Sequence, residues 1–274
     1  MKAAAFDYAR VRDVPEAVKL LGEAGGAAKV LAGGQSLGPM LNLRLARPDL
    51  LVDLRAVERL HTVDEEADSL RYGALLTHAS FEDGRRPDPT GGLLRFVGAG
   101  IAYRAVRNRG TLGGSLAHAD PAADWLATFT ALDAELEIEG PSGQRRLPLT
   151  EAVQGAFTTA LADDEVLTGV RIARSLAGVR WGYHKICKKV GEFAEASAVV
   201  LHAPDRRFAR VVAGAIERPP QRLPAIEKAL LQGGMAAAVA ALPACIGSAL
   251  PERDAYERQL HKVALTRALE QACA

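Results

Sequence analysis

The sequence predicts an α+β fold in two parts, residues 1–177 and 178–274, with the first part divided again near residue 59. Three observations lead there. Up to Arg59, helix-like and extended segments alternate, the pattern of a small sheet with helices laid on it. Between Leu60 and Ala177, short extended runs bounded by turn residues take over. After Ala177, three extended runs follow one another and give way to helical sequence, a small antiparallel sheet followed by a helical bundle.

Taken in order, Asp13 followed by Val14, Pro15 and Glu16 offers an N-cap with an acidic residue three positions on. The helix runs to about Leu21 and stops among Gly22 to Gly26. Residues 29–32 read as a strand feeding a glycine-rich loop, 37–44 as a helical turn, and 50–54 as a buried strand bounded by Pro48 and Arg55. Strands follow at 60–63 and 70–73. Pro87, Pro89 and the Gly91-Gly92 pair mark a loop before segment 93–103. Asp120-Pro121 reads as an N-cap and first-turn proline opening a helix over 122–132. Residues 135–139 and 145–149 flank Gly140-Pro141-Ser142-Gly143, a hairpin signal, and 166–172 is a further strand. Strands are then expected at 181–187, 196–202 and 208–216. Pro219, Pro220 and Pro224 lead into helices, the last of which, 252–271, places Tyr256, Leu260, Val263 and Ala264 on one face. The most apolar run, 236–250, is too short for a membrane span and holds Pro243, so it reads as a core helix of the bundle.

With 274 residues, 49% of them hydrophobic and 24% charged, the chain can bury a sizeable core. A formal net charge of +1 leaves no footprint for nucleic acid or an anionic membrane. The start interleaves Lys2, Asp7, Arg10 and Arg12 and lacks the apolar run of a secretion signal. Cys187, Cys245 and Cys273 lie far apart, with no Cys-x-x-Cys pair. That argues against a disulfide framework, a zinc site or an iron–sulfur cluster held by this chain alone, and fits a reducing cytoplasm.

The chemistry concentrates in two glycine-rich loops, Ala32-Gly33-Gly34-Gln35-Ser36 and Thr111-Leu112-Gly113-Gly114-Ser115. Glycine admits φ > 0 and removes the Cβ that would keep a ligand from the backbone. Successive N–H groups can then converge on one anion such as a pyrophosphate. A single Gly-Gly pair is an ordinary turn; two, each followed by a small hydroxyl residue, point to a dinucleotide gripped from two sides. His118, Asp120 and Asp124 have the composition of a metal set, but Asp120 is better used as an N-cap and no metal is expected. None of the remaining histidines forms a His-Glu-x-x-His or triad-like constellation.

At the second loop the sequence becomes recognisable. Arg107-Asn108-Arg109-Gly110-Thr111-Leu112-Gly113-Gly114-Ser115-Leu116-Ala117-His118-Ala119-Asp120-Pro121-Ala122-Ala123-Asp124 closely resembles the second FAD motif of molybdenum hydroxylase flavoprotein subunits, the medium subunits of the xanthine dehydrogenase and carbon monoxide dehydrogenase family. Residues 31–39 resemble that family's first FAD motif, and Tyr183-His184-Lys185 with Gly191-Glu192 resembles the segment opening its C-terminal domain. The likeness covers nearly the whole chain in order.

The resemblance implies a two-subdomain FAD-binding domain of the vanillyl-alcohol-oxidase-like type over residues 1–177 and a C-terminal flavoprotein domain over 178–274. Val30, Leu31, Ala32, Gly33, Gly34, Gln35, Ser36, Leu37 and Gly38 would wrap the diphosphate and adenosine portion of a noncovalent FAD. Thr111 and Gly114 would complete the pyrophosphate grip, with Ser115 beside them, where many members carry Asn. Asp124 matches an aspartate that hydrogen-bonds the cofactor, Leu167 an apolar position near the adenine end, and Lys185 a lysine close to the flavin. Phe193 stands at a position near the isoalloxazine face that is often Tyr, so no phenolic hydroxyl is available there. Molybdopterin and two [2Fe–2S] clusters would reside on a large and a small partner subunit, the whole doubled into a heterohexamer. The chain would then be an oxidoreductase subunit, passing electrons from the clusters to NAD⁺, oxygen or another acceptor. Two other readings stand beside it: a free-standing flavoenzyme of the same fold, which needs catalytic acid or base residues in its C-terminal domain, and a scaffold subunit that has lost FAD.

Overall fold

The computed structural model describes residues 2–274. Its first unit runs β1 (Asp7–Arg10), α1 (Val14–Glu23), β2 (Ala28–Leu31), α2 (Leu37–Asn42) and β3 (Leu50–Asp53), the strands forming a parallel sheet in the order β1-β3-β2. α1 begins where its cap dictates, the Glu16 N–H donating to Asp13 Oδ1 at 2.8 Å. Its Val14, Ala17, Val18 and Leu21, spaced on one helical face, pack with Ala28, Val52 and Leu54. β1 has no counterpart in the sequence reading. Four mostly exposed residues carry no apolar run, and pairing with β3, Asp7 opposite Leu50, defines the strand.

The second unit comprises β4 (Val63–Glu65), β5 (Ser69–Gly73), α3 (His78–Glu82), α4 (Leu93–Gly100), α5 (Arg104–Arg107), α6 (Leu112–His118), α7 (Asp124–Ala131), β6 (Glu135–Gly140), β7 (Gly143–Pro148), α8 (Leu149–Ala152), β8 (Val153–Gly155), β9 (Thr158–Thr159) and β10 (Val166–Ala173). Five strands form an antiparallel sheet, β4-β5-β10-β6-β7, and β8 pairs with β9. The expected strand at 60–63 starts later: Leu60 lies in a 3-10 turn, Glu58–His61. Its side chain is buried and its carbonyl accepts the Leu75 N–H at 2.8 Å, and a tight turn meets both demands. The helix expected from 122 also starts later. Asp120 caps nothing; its Oδ1 accepts the Ala122 N–H at 2.9 Å in an Asx turn, and α7 begins with Asp124 in its first turn.

The last unit is the antiparallel sheet β11 (Arg180–Ile186), β12 (Ala196–Ala203), β13 (Phe208–Gly214) and β14 (Gln221–Arg222), followed by α9 (Pro224–Ala249) and α10 (Ala255–Cys273). Alternation along its strands serves two cores. Val199, Leu201 and Val212 join the large cluster that contains α4, α6, α7 and the five-stranded sheet, while Ala198, Val200 and Val211 pack with α9 and α10. The change of sheet near residue 178 is therefore not a break in the core.

Both helices depart from their expected roles. α9 buries one stripe, Ile226, Leu230, Ala238, Leu242 and Ile246, against both α10 and the sheet, and leaves Leu231 and Met235 exposed, so it packs in the helical layer by one face and is not buried all round. Over its 26 residues it is apolar and long enough to match a membrane span by composition, but Gly234 at φ 70°, ψ −166° breaks it. Neither half reaches the ~20 residues that a span requires. α10 starts at Ala255 behind an Asp254–Glu257 capping box and buries His261, Ala264, Leu265, Ala268, Leu269 and Ala272. Tyr256 is exposed, and the half-buried Leu260 and Val263 flank the stripe that His261 heads, its ring nitrogens meeting the Glu257 and Gly214 carbonyls.

Candidate cofactor site

The first glycine loop leaves β2 at the carboxyl end of the parallel sheet, where open α/β sheets place their ligands. Gly34 takes φ 70°, which turns the chain into α2. The amides of Gly33, Gly34, Gln35 and Ser36 donate to no protein group among the described residues. Ser36 stands at the N-cap of α2 without a side-chain capping bond, so its hydroxyl is also uncommitted there. A methyl on Gly38 would have open space around it, with no atom within 4 Å. This run of donors beside unfilled space suits a diphosphate.

Gly33 is buried against the second loop's approach: a Cβ there would collide with the Arg109 carbonyl and fall 2.8 Å from Gly110 Cα. A Cβ on Gly114 would lie 3.7 Å from the Ala32 methyl. The two loops predicted separately are thus one wall. They differ in what they offer. Leu112 N–H donates to Leu76 O (2.9 Å), Gly113 N–H to Ala74 O (2.8 Å), Gly114 N–H to Thr111 Oγ1 (3.1 Å) and Ser115 N–H to Thr111 O (3.0 Å). This narrows the expectation of backbone donors from both sides: the amides of residues 112–115 are spent capping α6 and anchoring it, and of the second loop's amides only the Thr111 N–H donates to no protein group among the described residues. Thr111 Oγ1 accepts from Gly114 and keeps its own proton to donate; the Ser115 side chain is half-buried beside it.

Asp124 and Lys185 meet each other. Nζ of Lys185 on β11 lies 2.8 Å from Asp124 Oδ1 at the start of α7, with side-chain exposures of 9% and 6%. The Tyr183 hydroxyl donates to the same oxygen, and Nζ also donates to Gly100 O at 3.0 Å. Burial pushes the Asp124 carboxyl up, against the opposing pull of Lys185 and Tyr183, and pushes the Tyr183 phenol well up too. Sequence reasoning treated these as two separate contacts and did not single out Tyr183's hydroxyl.

Leu167 is buried in the large core on β10, which packs on α6. Val30, Leu31 and Leu37 are half-buried around the first loop. Phe193 is 64% exposed on the loop between β11 and β12. Its neighbours Ala194 and Glu195, with Lys188, line a cavity of about 680 Å³, whose wall also includes Asp120, Phe157 and Tyr256 but no residue of either glycine loop.

His78 escaped notice in the sequence. Its Nδ1 accepts from Trp125 Nε1 at 2.8 Å behind the second loop, and burial, with Arg107 adding to it, pushes the imidazole down to about 4. A second buried set sits at the end of β3. Asp53 accepts from Arg55 Nε (2.9 Å to Oδ1) and from Tyr8. Burial works to raise this carboxyl, but the Arg55 and Tyr8 hydrogen bonds outweigh it and hold the group down to about 2.

A parallel sheet delivering unspent amides, walled by a second glycine loop, defines a protein shaped to hold an extended anionic cofactor. The sequence profile of the FAD binding domain in molybdopterin dehydrogenase matches residues 4–174. The chain is 36% identical over 235 residues to the caffeine dehydrogenase subunit beta of Pseudomonas sp. (strain CBB1), which covers 84% of this chain and 80% of that one. It is 37% identical over 201 residues to the carbon monoxide dehydrogenase medium chain of Hydrogenophaga pseudoflava, covering 72% and 68% respectively. Its structure matches the carbon monoxide dehydrogenase from Hydrogenophaga pseudoflava that lacks the Mo-pyranopterin moiety, with a TM-score of 0.90 at 32% identity and 100% of both chains covered. The chain belongs to the family of FAD-binding medium subunits of molybdenum hydroxylases, which are oxidoreductase complexes.

Proposed function

We propose that this chain is the electron-transfer subunit of a cytoplasmic molybdenum hydroxylase assembled as two copies of a heterotrimer. It works beside a large molybdopterin subunit and a small subunit with [2Fe–2S] clusters, and it hands electrons to NAD⁺, oxygen or another acceptor. The observation that carries the reading is the run of unspent amides from Gly33 to Ser36 at the end of the parallel sheet, closed by the second glycine loop. FAD, when bound, accepts electrons singly and releases them as a pair, which suits a junction between one-electron clusters and a two-electron acceptor.

Residues 1–177 form the unit that holds the cofactor, and 178–274 the unit that covers it. Val30, Leu31, Ala32, Gly33, Gly34, Gln35, Ser36, Leu37 and Gly38 line the diphosphate and adenosine end, with Thr111 donating its hydroxyl proton and Gly114 and Ser115 shaping the wall. Leu167 supports the adenine end through α6. Asp124 and Lys185 serve as a unit: the carboxylate fixes the ammonium at the joint between α7 and β11, so the lysine is held in place when the flavin meets it. Phe193 supplies an apolar surface and no proton. Purified protein should be yellow and release its chromophore into the supernatant on acid precipitation, because neither loop carries a His or Cys attachment point. Affinity capture from the native host should retrieve a large and a cysteine-rich small chain. A colourless chain that takes up no FAD would refute the reading.

A further inference from the structure

The two loops form one wall only because the Arg109–Gly110 peptide is held against Gly33. Gly110 N–H donates to Val106 O at 2.7 Å, and Gly110 O accepts the His78 N–H at 3.0 Å. The third restraint is a side chain. The edge of the His78 imidazole lies so close to Gly110 that a Cβ there would fall 2.6 Å from Nε2 and 2.7 Å from Cδ2. Glycine at 110 is thus required by close approach; its φ is not positive.

The imidazole cannot swing away. Indole N–H is a donor only, so the 2.8 Å bond from Trp125 fixes Nδ1 as the acceptor and places the ring proton on Nε2. Trp125 is itself fully buried, its ring centroid 5.3 Å from that of Phe81 and 5.6 Å from that of Phe129. It is also the residue next to Asp124, which pairs with Lys185. A continuous set of contacts therefore runs Gly33, Gly110, His78, Trp125, and along the chain to Asp124, linking the first loop to the joint with β11.

Resting on the FAD reading above, we propose that His78 is a positioning residue for cofactor binding: a neutral imidazole, aimed by Trp125, that presses the Arg109–Gly110 peptide onto Gly33 and so sets the shape of the amide cradle. It touches the loops and not the reacting atoms.

The test uses the full chain, FAD titration by flavin fluorescence, and the melting temperature of the FAD-free protein. His78→Asn keeps an acceptor near the Nδ1 position and vacates the edge facing Gly110, so FAD should bind about tenfold more weakly or worse. Gly110→Ala drives a methyl into the imidazole and should weaken binding similarly. In the double variant the methyl enters the vacated space, and affinity should return to within about threefold of the wild type, a coupling that independent losses do not produce. Wild-type affinity in both single variants, or a double variant whose losses add, overturns the proposal. If His78→Asn fails to fold, Trp125→Phe decides, since it removes the indole donor and keeps aromatic bulk: weakened FAD binding supports the proposal and wild-type affinity overturns it. Failure of the wild-type chain to bind FAD would instead remove the functional reading on which the proposal rests.

Discussion

Lys185→Met tests the joint between α7 and β11 most directly. Unit charges 2.8 Å apart attract by about 6 kcal/mol at an effective dielectric of about 20. Several kcal/mol of desolvation per ion consume most of that, so the intact pair contributes little net stability, while removing one partner costs about 3–5 kcal/mol. In the variant, Asp124 loses its only cationic partner and keeps the Tyr183 hydroxyl and its own backbone N–H in a nearly buried setting. Its escape is to take up a proton, which gives the cost a pH signature. Burial already raises the folded carboxyl above its unfolded value of 3.8, and loss of the ammonium raises it further. The folded state then binds more protons than the unfolded one, so stability falls as pH rises above the unfolded value, by up to about 1.4 kcal/mol per pH unit, until the folded group ionises.

Urea denaturation of the FAD-free chain at about pH 5 and pH 8 should therefore show a small loss for Lys185→Met at the lower pH and about 3–5 kcal/mol at the higher. Asp124→Asn combined with Lys185→Met buries no charge and should be more stable than Lys185→Met alone at the higher pH. A loss below about 0.5 kcal/mol at pH 8, the scale of a surface change, would refute the argument. So would a double variant whose loss equals the sum of the singles.

Other outcomes follow from the same geometry. Gly38→Ala enters open space inside α2, so the FAD-free chain should melt at the wild-type temperature or slightly above it while FAD binds more weakly; unchanged FAD affinity would remove Gly38 from the cradle. Gly33→Ala, by contrast, collides with the Arg109 carbonyl and should lower both melting temperature and FAD content. The unfolded chain protonates His78 as pH falls below 6.5 and the folded chain only near 4, so stability should drop by roughly 3 kcal/mol across that window, a slope that His78→Asn should abolish in denaturation curves. Below 3.8 a second loss should begin as Asp53, held down to about 2, gives up its Arg55 and Tyr8 bonds, and Asp53→Asn should remove it. The isolated chain should show flavin absorption without an iron–sulfur signal and hydroxylate no heterocycle or aldehyde; turnover by the lone chain would favour a free-standing flavoenzyme.

Local chemistry made much of this readable in advance. Asp13 and Glu16 start α1 where the sequence puts it, Gly140 to Gly143 turns the hairpin, and the apolar runs after residue 180 are the strands of the last sheet. What stayed hidden depends on partners distant in sequence. β1 is strand only because β3 lies beside it, 43 residues on at the Asp7–Leu50 pairing. Leu60 looked extended because it is apolar, but its carbonyl answers to Leu75. Tyr256 looked like part of a buried stripe until His261 filled the place with two carbonyl contacts. Asp120 looked like a cap because Pro121 follows it, although an aspartate before a proline serves an Asx turn equally well.

The site divides along the same line. Glycine doublets announce close backbone approach, but they do not say whether the neighbour is a ligand or another loop. Gly38 faces open space and Gly33 faces Arg109 and Gly110, a distinction that sequence spacing cannot carry. The donors also fall unequally: α2 starts without a side-chain cap, whereas Thr111 caps α6 and silences the Gly114 amide. The second loop therefore offers a wall, the Thr111 hydroxyl and the Thr111 N–H, and the first offers the run of uncommitted amides from Gly33 to Ser36. Because that wall rests on a buried neutral imidazole and ends at a buried ion pair, conditions that charge His78 or discharge Asp124 should loosen the cofactor before they unfold the sheets. Flavin release on acidification that precedes the loss of far-ultraviolet circular dichroism would bear this out, and simultaneous loss of both signals would mean that the wall and the sheets form one cooperative unit.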